Sequence, residues 1–408
     1  MRAICGIDWA SEWHDVRIAE HQSGQLICQR RFSHDEAGVC ALVDELVAHD
    51  VERVAIERPD GLLVRRLLAA GLRVLAIHPN QVKAARDRFR AAAGKTDAFD
   101  SFVLCELART DAHRFAALAP SGDETLALRA LVRTREDLVR ARVGLANQLR
   151  AQLDAFWPGA AGVFADVDSH IALAFLERYP APSDAHGLGP KRLQAFLDRH
   201  AYCGRRPVEQ LLERLRNAPR AVVGELEADA RRAAALGLVA ALKPIVAQIS
   251  ELTSQIRGAI RTHPDGAIFT SVFRDPKSVI TAAGLLAEIG DNRARYPHRD
   301  ALAADAGQAP VAIESGKRKS AAFRWACDKR LRNHIAVLAD SSRHHHPWAR
   351  DIYQRARDRG ADHPHACRIL GRAWTRVLWR CWQDGIPYDP TRHQAATHHL
   401  NPDKPGKG

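Results

Sequence analysis

Ala3-Ile4-Cys5-Gly6-Ile7-Asp8 opens the chain with an apolar run that stops on an acid. A run this short, with a second apolar run close behind it, reads as a buried strand rather than a helix. Residues 16–19 and 25–32 follow as strands, with Ser23-Gly24 as the turn between them. Ser33 is placed to cap a helix over about 34–49, on which Val39, Leu42, Val43, Leu46 and Val47 form one apolar stripe. A strand at 51–56, a helix at 60–70, a strand at 72–77 and helices at about 80–91 and 97–109 complete the first third. Three successive strands followed by βαβ units predict an α/β domain, a mixed sheet with helices on its faces, over residues 1–118.

The remainder reads as all-α. Leu128, Leu131, Leu138, Leu145, Leu149 and Leu153 recur at spacings of three, four and seven, and Leu238, Leu242, Ile245, Ile249, Leu252 and Ile256 step 4-3-4-3-4. These coiled-coil-like stripes predict a helical middle, 119–265, whose two long helices pair with each other or with another subunit. Pro244 lies inside the second stripe and is expected to kink that helix or mark its start. A mostly helical C-terminal domain is expected over 266–385, with helices near 277–290, 298–307, 321–340, 347–359 and 363–384 and a loop over 308–319. The tail, 386–408, is rich in Pro, His, Gly and Lys and reads as disordered.

Charge narrows the class of partner. The 408 residues carry a formal +12, of which residues 266–408 hold +10 and residues 1–265 only +2. A polyanion is therefore expected to bind the last third. No continuous run of about 18 apolar residues appears, so no spanning helix is expected. The eight cysteines form no CxxC pair, which excludes a zinc ribbon and argues for reduced thiols in a cytoplasmic protein.

Four acids stand where a sheet would gather them. Asp8 and Glu57 end strands expected to be neighbours, and Asp97 and Asp100 lie three apart at the start of a helix. Carboxylate oxygens suit hard cations such as Mg2+ or Mn2+. From spacing alone two plainer readings stay open: acids at loop mouths, and Asp97 as a helix N-cap. Arg86, Arg88 and Arg90 line a helix nearby, either as nucleic-acid contacts or as a solvated face.

Gly6-Ile7-Asp8-Trp9-Ala10 resembles the first strand of ribonuclease-H-like and RuvC-like nucleases. Ile56-Glu57-Arg58, the run from His78 to Lys83, and Gly94-Lys95-Thr96-Asp97-Ala98-Phe99-Asp100 resemble the DEDD domain of the IS one-ten family of insertion-sequence transposases. The stretch from Ala283 to Asp291, Ala306-Gly307-Gln308-Ala309-Pro310, and Ser315-Gly316-Lys317 resemble that family's C-terminal transposase domain. The resemblance implies a RuvC-like first domain in which Asp8, Glu57, Asp97 and Asp100 are catalytic and hold Mg2+ or Mn2+. It makes Ser315 the nucleophile of the second domain. It also implies DNA recombination for insertion and excision of an element, with a guide RNA choosing the DNA. The sequence departs from the family at 272–276, where Val272-Phe273-Arg274-Asp275-Pro276 replaces a Gly-rich hairpin, leaving Arg274 or Lys277 as charged substitutes.

Lys317, Arg318 and Lys319 beside Ser315, together with Arg324 and Lys95, are the expected nucleic-acid contacts, and Lys329, Arg330 and Arg332 continue the positive face. Ser320, Ser341 and Ser342 are rival hydroxyls. Trp374, Trp379 and Trp382 are read as core, Trp325 and Trp348 fall in the same region, and His344-His345-His346 are read as solvated. The reading is a transposase in the cytoplasm on the nucleoid, with DNA and a guide RNA as partners, no membrane, and a homo-oligomer, dimer or tetramer. The alternatives are a metal-dependent nuclease of the junction-resolvase type without serine chemistry, and a non-catalytic DNA-binding module.

Overall fold

A computed structural model describes residues 2–89, 96–275, 278–315 and 318–392. The chain divides into two compact units, the first comprising the residues up to Gly122 together with Asp291–His298, the second the residues from Asp123 to Gly290 and from Arg299 onward.

In the first unit, β1 (Ala3–Trp9), β2 (Trp13–Glu20), β3 (Leu26–Ser33), β4 (Val51–Ile56) and β5 (Arg73–Ala76) form one sheet in the order β3-β2-β1-β4-β5. The first three strands run antiparallel, whereas β4 lies parallel to β1 and β5 parallel to β4. This is the mixed sheet that the strand pattern predicted. Helices α1 (Glu36–Ala48) and α2 (Leu62–Ala69) cover one face, where Cys5, Ile7, Val54 and Ile56 meet Leu42, Leu46, Leu63 and Leu67. Helices α3 (Pro79–Phe89) and α4 (Asp97–Thr110) cover the other, where Ala55, Leu75 and Ile77 meet Val82, Phe99, Val103 and Leu107. A central strand covered on both faces has no reason to alternate, which explains the unbroken apolar run of β1.

One local expectation changes. The cap of α1 is Asp35, whose carboxylate accepts from the Gly38 amide at 2.7 Å, while the Ser33 hydroxyl donates to Asp35 at 2.9 Å. Ser33 instead closes β3. Gly6 is required by packing: a Cβ there would lie 2.2 Å from the Ser101 carbonyl and 2.3 Å from the Cys105 amide. Its absence lets the backbone of α4 rest on β1.

The second unit opens with α5 (Asp123–Phe156), followed by four short helices, α6 (Pro158–Val163), α7 (His170–Arg178), α8 (Pro190–Arg199) and α9 (Val208–Arg216). Trp157, Phe164, Phe175 and Phe196 build an aromatic core among them. Helix α10 (Glu225–Thr262) then runs along α5. Of its stripe, Leu242, Ile249 and Ile256 are buried, so the two stripes pair with each other inside one chain. The helix continues through Pro244 instead of starting there. It also holds an 18-residue window of mean hydropathy 1.6, so by length and composition one helix passes the test for a membrane span although no continuous apolar run of that length occurs. The helix that carries it packs along α5.

After α11 (Gly266–Thr270) and α12 (Val279–Ile289) come α13 (Arg299–Asp305), a hairpin of β6 (Val311–Ser315) and β7 (Arg318–Ala322), then α14 (Lys329–His345), α15 (Pro347–Asp358) and α16 (His363–Asp384). The segment expected as a loop over 308–319 is thus largely a hairpin, and the helix expected from 321 begins at Lys329. Gly290, at φ 83°, ends α12 where the sequence placed its end. Trp374 and Trp382 are buried, as expected of core residues. His346 is not solvated: its Nε2 lies 2.7 Å from the Tyr388 hydroxyl, and its ring packs against Trp348 and Trp374. Of the tail, everything beyond residue 392 lies outside the described residues, as do Arg90, Pro276 and Lys277.

Candidate active site and nucleic-acid interface

Parallel pairing of β1 with β4 sets Ile7 opposite Ile56. Asp8 and Glu57 therefore follow side by side at the same end of two neighbouring strands. Helix α4 starts at that edge because its contact through Gly6 leaves its first turn beside β1. Its N-cap is Thr96, whose hydroxyl oxygen accepts from the Phe99 amide at 3.2 Å, so Asp97 is the first helical residue and not the cap.

The two acids of α4 differ in surroundings. Asp100 is 2 % exposed and is gripped by Arg86 of α3, with Nε and a terminal nitrogen donating to its two oxygens at 2.5 and 2.7 Å. The same guanidinium lies 4.0 Å from Glu57. Asp97, with a side chain 60 % exposed, faces Arg31 of β3 at 3.8 Å. The edge thus gathers Glu57 and Asp100 around one cation, beside Asp8, with Asp97 on the outer side. Arg58 lies 4.0 Å over the Trp9 ring, next to Asp8. Of the arginines read from α3, Arg86 turns inward, while Arg88 pairs loosely with Asp111 at 3.8 Å.

Behind Asp8, His14 of β2 pairs with Trp9 in register and its Nε2 lies 2.9 Å from His34 Nδ1. Burial, and then the neighbouring His34, lower the His14 pKa to about 4. The four carboxylates are hard oxygen donors, the chemistry Mg2+ or Mn2+ prefers. A buried carboxylate already held by a guanidinium fits that use, since a cation is demanded there in any case. For Asp100 to hold an ion, the Arg86 pair would have to loosen. Among the described residues, no three of these acids bring their oxygens within 4.8 Å of one another.

Ser315 ends β6 and is exposed, in register with Arg318, and Glu314 is in register with Lys319. Lys95 and Lys317 lie outside the described residues, as do the side chains of Arg318 and Lys319. The rival hydroxyls are engaged: Ser341 donates to the Leu338 carbonyl at 3.2 Å, Ser342 is buried and accepts from Trp374 Nε1 at 2.8 Å, and Ser320 reaches the Ile313 carbonyl at 3.5 Å across the hairpin. Arg330, expected on an open basic face, instead bridges Glu136 and Asp137 of α5.

The base of the hairpin walls a cavity of about 560 Å³. Its opposite wall is α16, where Arg368, Arg372 and Arg376 recur one turn apart. Arg324 enters from the hairpin side, its Nε donating to the Ala309 carbonyl at 3.1 Å. Phe323 lies under Arg368 and Arg332, at 5.2 and 5.4 Å, and edge-on to Trp325, which is 74 % exposed. Basic groups on one wall and aromatic rings at the rim are the components of a single-strand nucleic-acid groove. The reading of the sequence omitted the three arginines of α16, although their spacing of four was there to find.

Two family models match the chain, a transposase DEDD domain over residues 5–158 and the transposase IS116/IS110/IS902 family over residues 278–354. The chain is 32% identical over 404 residues to the "Mini-circle putative transposase for IS117" of Streptomyces coelicolor, covering 96% of both chains. It is 29% identical over 408 residues to the insertion element IS900 uncharacterized 42 kDa protein of Mycobacterium paratuberculosis, covering 96% of this chain and 98% of that one. A solved structure, T. thermophilus RuvC in complex with a Holliday junction substrate, is matched over 29% of this chain and all of that one, at 13% identity and a TM-score of 0.24. The chain belongs to the IS116/IS110/IS902 family of transposases, the IS one-ten family that its motifs resemble.

Proposed function

We propose that this transposase recombines DNA through Ser315, assisted by a divalent-cation site at the acidic sheet edge, and that it excises and inserts an insertion sequence. The observation that carries the reading is the placement of Asp8 and Glu57 at one end of adjacent parallel strands, with Arg86 shared by Glu57 and Asp100, in a chain of this family. Asp8, Glu57, Asp97 and Asp100 would hold Mg2+ or Mn2+, which supplies Lewis-acid stabilisation of phosphoryl oxygens. Arg86 holds the buried Asp100 in place, and Arg58, stacked over the Trp9 ring, would offer a positive charge to an approaching DNA phosphate. At the hairpin, the Ser315 Oγ–phosphorus bond forms as the bond from phosphorus to the leaving sugar oxygen breaks. The serine proton is released and the leaving oxygen takes one up. Lys317, Arg318 and Lys319 offset the charge that gathers on the phosphate.

Arg324, Arg368, Arg372 and Arg376 would hold a nucleic-acid backbone, and Lys95 would contact it at the acidic edge. A guide RNA is the favoured second partner, since stacking on Phe323 and Trp325 suits unpaired bases. The assembly is proposed as a homodimer or tetramer, in the cytoplasm on the nucleoid, since two element ends have to be joined. Denaturing electrophoresis of the protein with labelled element-end DNA tests the chemistry. A covalent adduct is expected with the wild type and absent from Ser315→Ala, which should still bind DNA. Mg2+-dependent cleavage without any adduct would favour a metal-only nuclease, and neither activity a DNA-binding module.

A further inference from the structure

Asp340 of α14 and His363 and Cys367 of α16 meet at a junction outside the sites described above. His363 and Cys367 are one helical turn apart, so both face α14. The separations are 3.8 Å from His363 Nε2 to Asp340 Oδ1, 3.9 Å from Cys367 Sγ to His363 Nε2, and 4.0 Å from Sγ to Oδ1. Three donors at the corners of a nearly equilateral triangle are the arrangement of three vertices of a tetrahedron. Zinc bonds of about 2.3 Å to sulfur and about 2.0–2.1 Å to nitrogen or oxygen put such vertices roughly 3.3–3.6 Å apart. The triangle needs to close by only a few tenths of an ångström.

The surroundings are those of a ligand set. Cys367 Sγ lies 3.7 Å from His363 Nδ1 and 3.9 Å from Nε2, but the Tyr353 hydroxyl of α15 engages Nδ1 at 3.0 Å, which leaves Nε2, facing Asp340, as the nitrogen open to an ion. Fixing the tautomer through the far ring nitrogen is how metal-binding histidines are oriented. Arg343 Nε donates to Asp340 Oδ1 at 2.7 Å and its guanidinium lies 4.9 Å over the Tyr353 ring, so one side chain braces both the carboxylate and the histidine's partner. Cys367 is 9 % exposed, whereas the side chains of His363 and Asp340 are about half exposed, which leaves a solvent-facing vertex for a water. The mixed sulfur, nitrogen and oxygen set is that of a borderline-soft ion, not of Mg2+.

We propose that Asp340, His363 and Cys367 bind a zinc ion, with water as the fourth ligand, and that the ion pins the first turn of α16 to α14. Binding through Cys367 requires its thiolate, so the ion displaces the thiol proton and affinity rises with pH. The pinned turn leads directly into Arg368, so occupancy sets the position of the basic wall of the cavity.

The test uses the full chain, stripped with a chelator and titrated with Co2+ as a zinc substitute and then with Zn2+. The expected result is a thiolate-to-cobalt charge-transfer band that Zn2+ displaces. Cys367→Ala and His363→Ala should each bind one equivalent less than the wild type, and a rise in Tm with Zn2+ should be absent from both. Tyr353→Phe should weaken binding about 10–100-fold while keeping the band. The variants' folding is checked by their metal-free circular dichroism. Absence of the band in the wild type, or its persistence in Cys367→Ala, would overturn the proposal.

Discussion

Asp97 and Asp100 look equivalent on a helical wheel but sit in different electrostatic surroundings, and substitution should separate them. Asp97→Asn removes an exposed partner of Arg31, and its effect on stability should stay within about 0.5 kcal/mol. Asp100→Ala leaves Arg86 without its buried carboxylate and should cost about 3–5 kcal/mol in chemical denaturation. Both should abolish Mg2+-dependent cleavage if both hold the ion, so stability and activity read different things at these two sites. His14 gives a pH dependence. Its folded pKa of about 4 lies below the usual histidine value, so the folded state binds fewer protons than the unfolded state between those limits. Stability contributed by neutral His14 is therefore complete above about pH 6.5 and lost as pH falls toward 4, on the order of 3 kcal/mol. Tm measured across that range should drop more steeply for the wild type than for His14→Phe, and parallel curves would reject the assignment.

At the scale of elements, two glycines explain motifs that carried the family resemblance. Gly6 admits α4 onto β1, and Gly284 admits His334, whose ring atoms would lie 2.1 Å from an added Cβ. Gly284→Ala should destabilise the second unit by about 1–3 kcal/mol, read as a lowered urea midpoint. In the same motif Glu288, 1 % exposed, is held by Arg133 of α5 at 2.7 and 2.9 Å, so this acid ties α12 to α5. The α10 stripe lies on α5, so Ile245→Glu with Leu252→Glu should lower Tm and leave the oligomeric state of the folded fraction unchanged. Loss of assembly at unchanged Tm would place the stripe between subunits. The hairpin escaped the sequence reading for a physical reason. All five residues of β6 are exposed, so no buried face imposes the alternation that marks a strand. Ser315-Gly316 was the available signal, a turn dipeptide.

For the whole molecule, a +10 charge on the last third predicts steep salt dependence of nucleic-acid binding, and the structure concentrates part of it on α16. Replacing Arg368, Arg372 and Arg376 by Gln should flatten the slope of log affinity against log salt by about 0.7–0.9 for each phosphate that these arginines neutralise. The same triple change should weaken binding to all sequences alike, because backbone contacts carry no sequence choice. An unchanged slope would move the interface away from this cavity.

The sequence alone determined the mixed sheet, its strand succession and the acids at its edge. Hydrophobic periodicity and short motifs are local properties, and Asp8, Glu57 and Asp97 each stand beside an element that such patterns locate. Tertiary structure alone decided which acid is buried against Arg86, which stripe meets which, and that Arg330 turns to α5 instead of to solvent. It also brought Asp340 to His363 and Cys367, and Arg324 to Arg368, across helices that no periodicity connects. Those pairings depend on the packing angles of α3, α14 and α16, which are set by side chains distant in the chain and leave no mark in any local window.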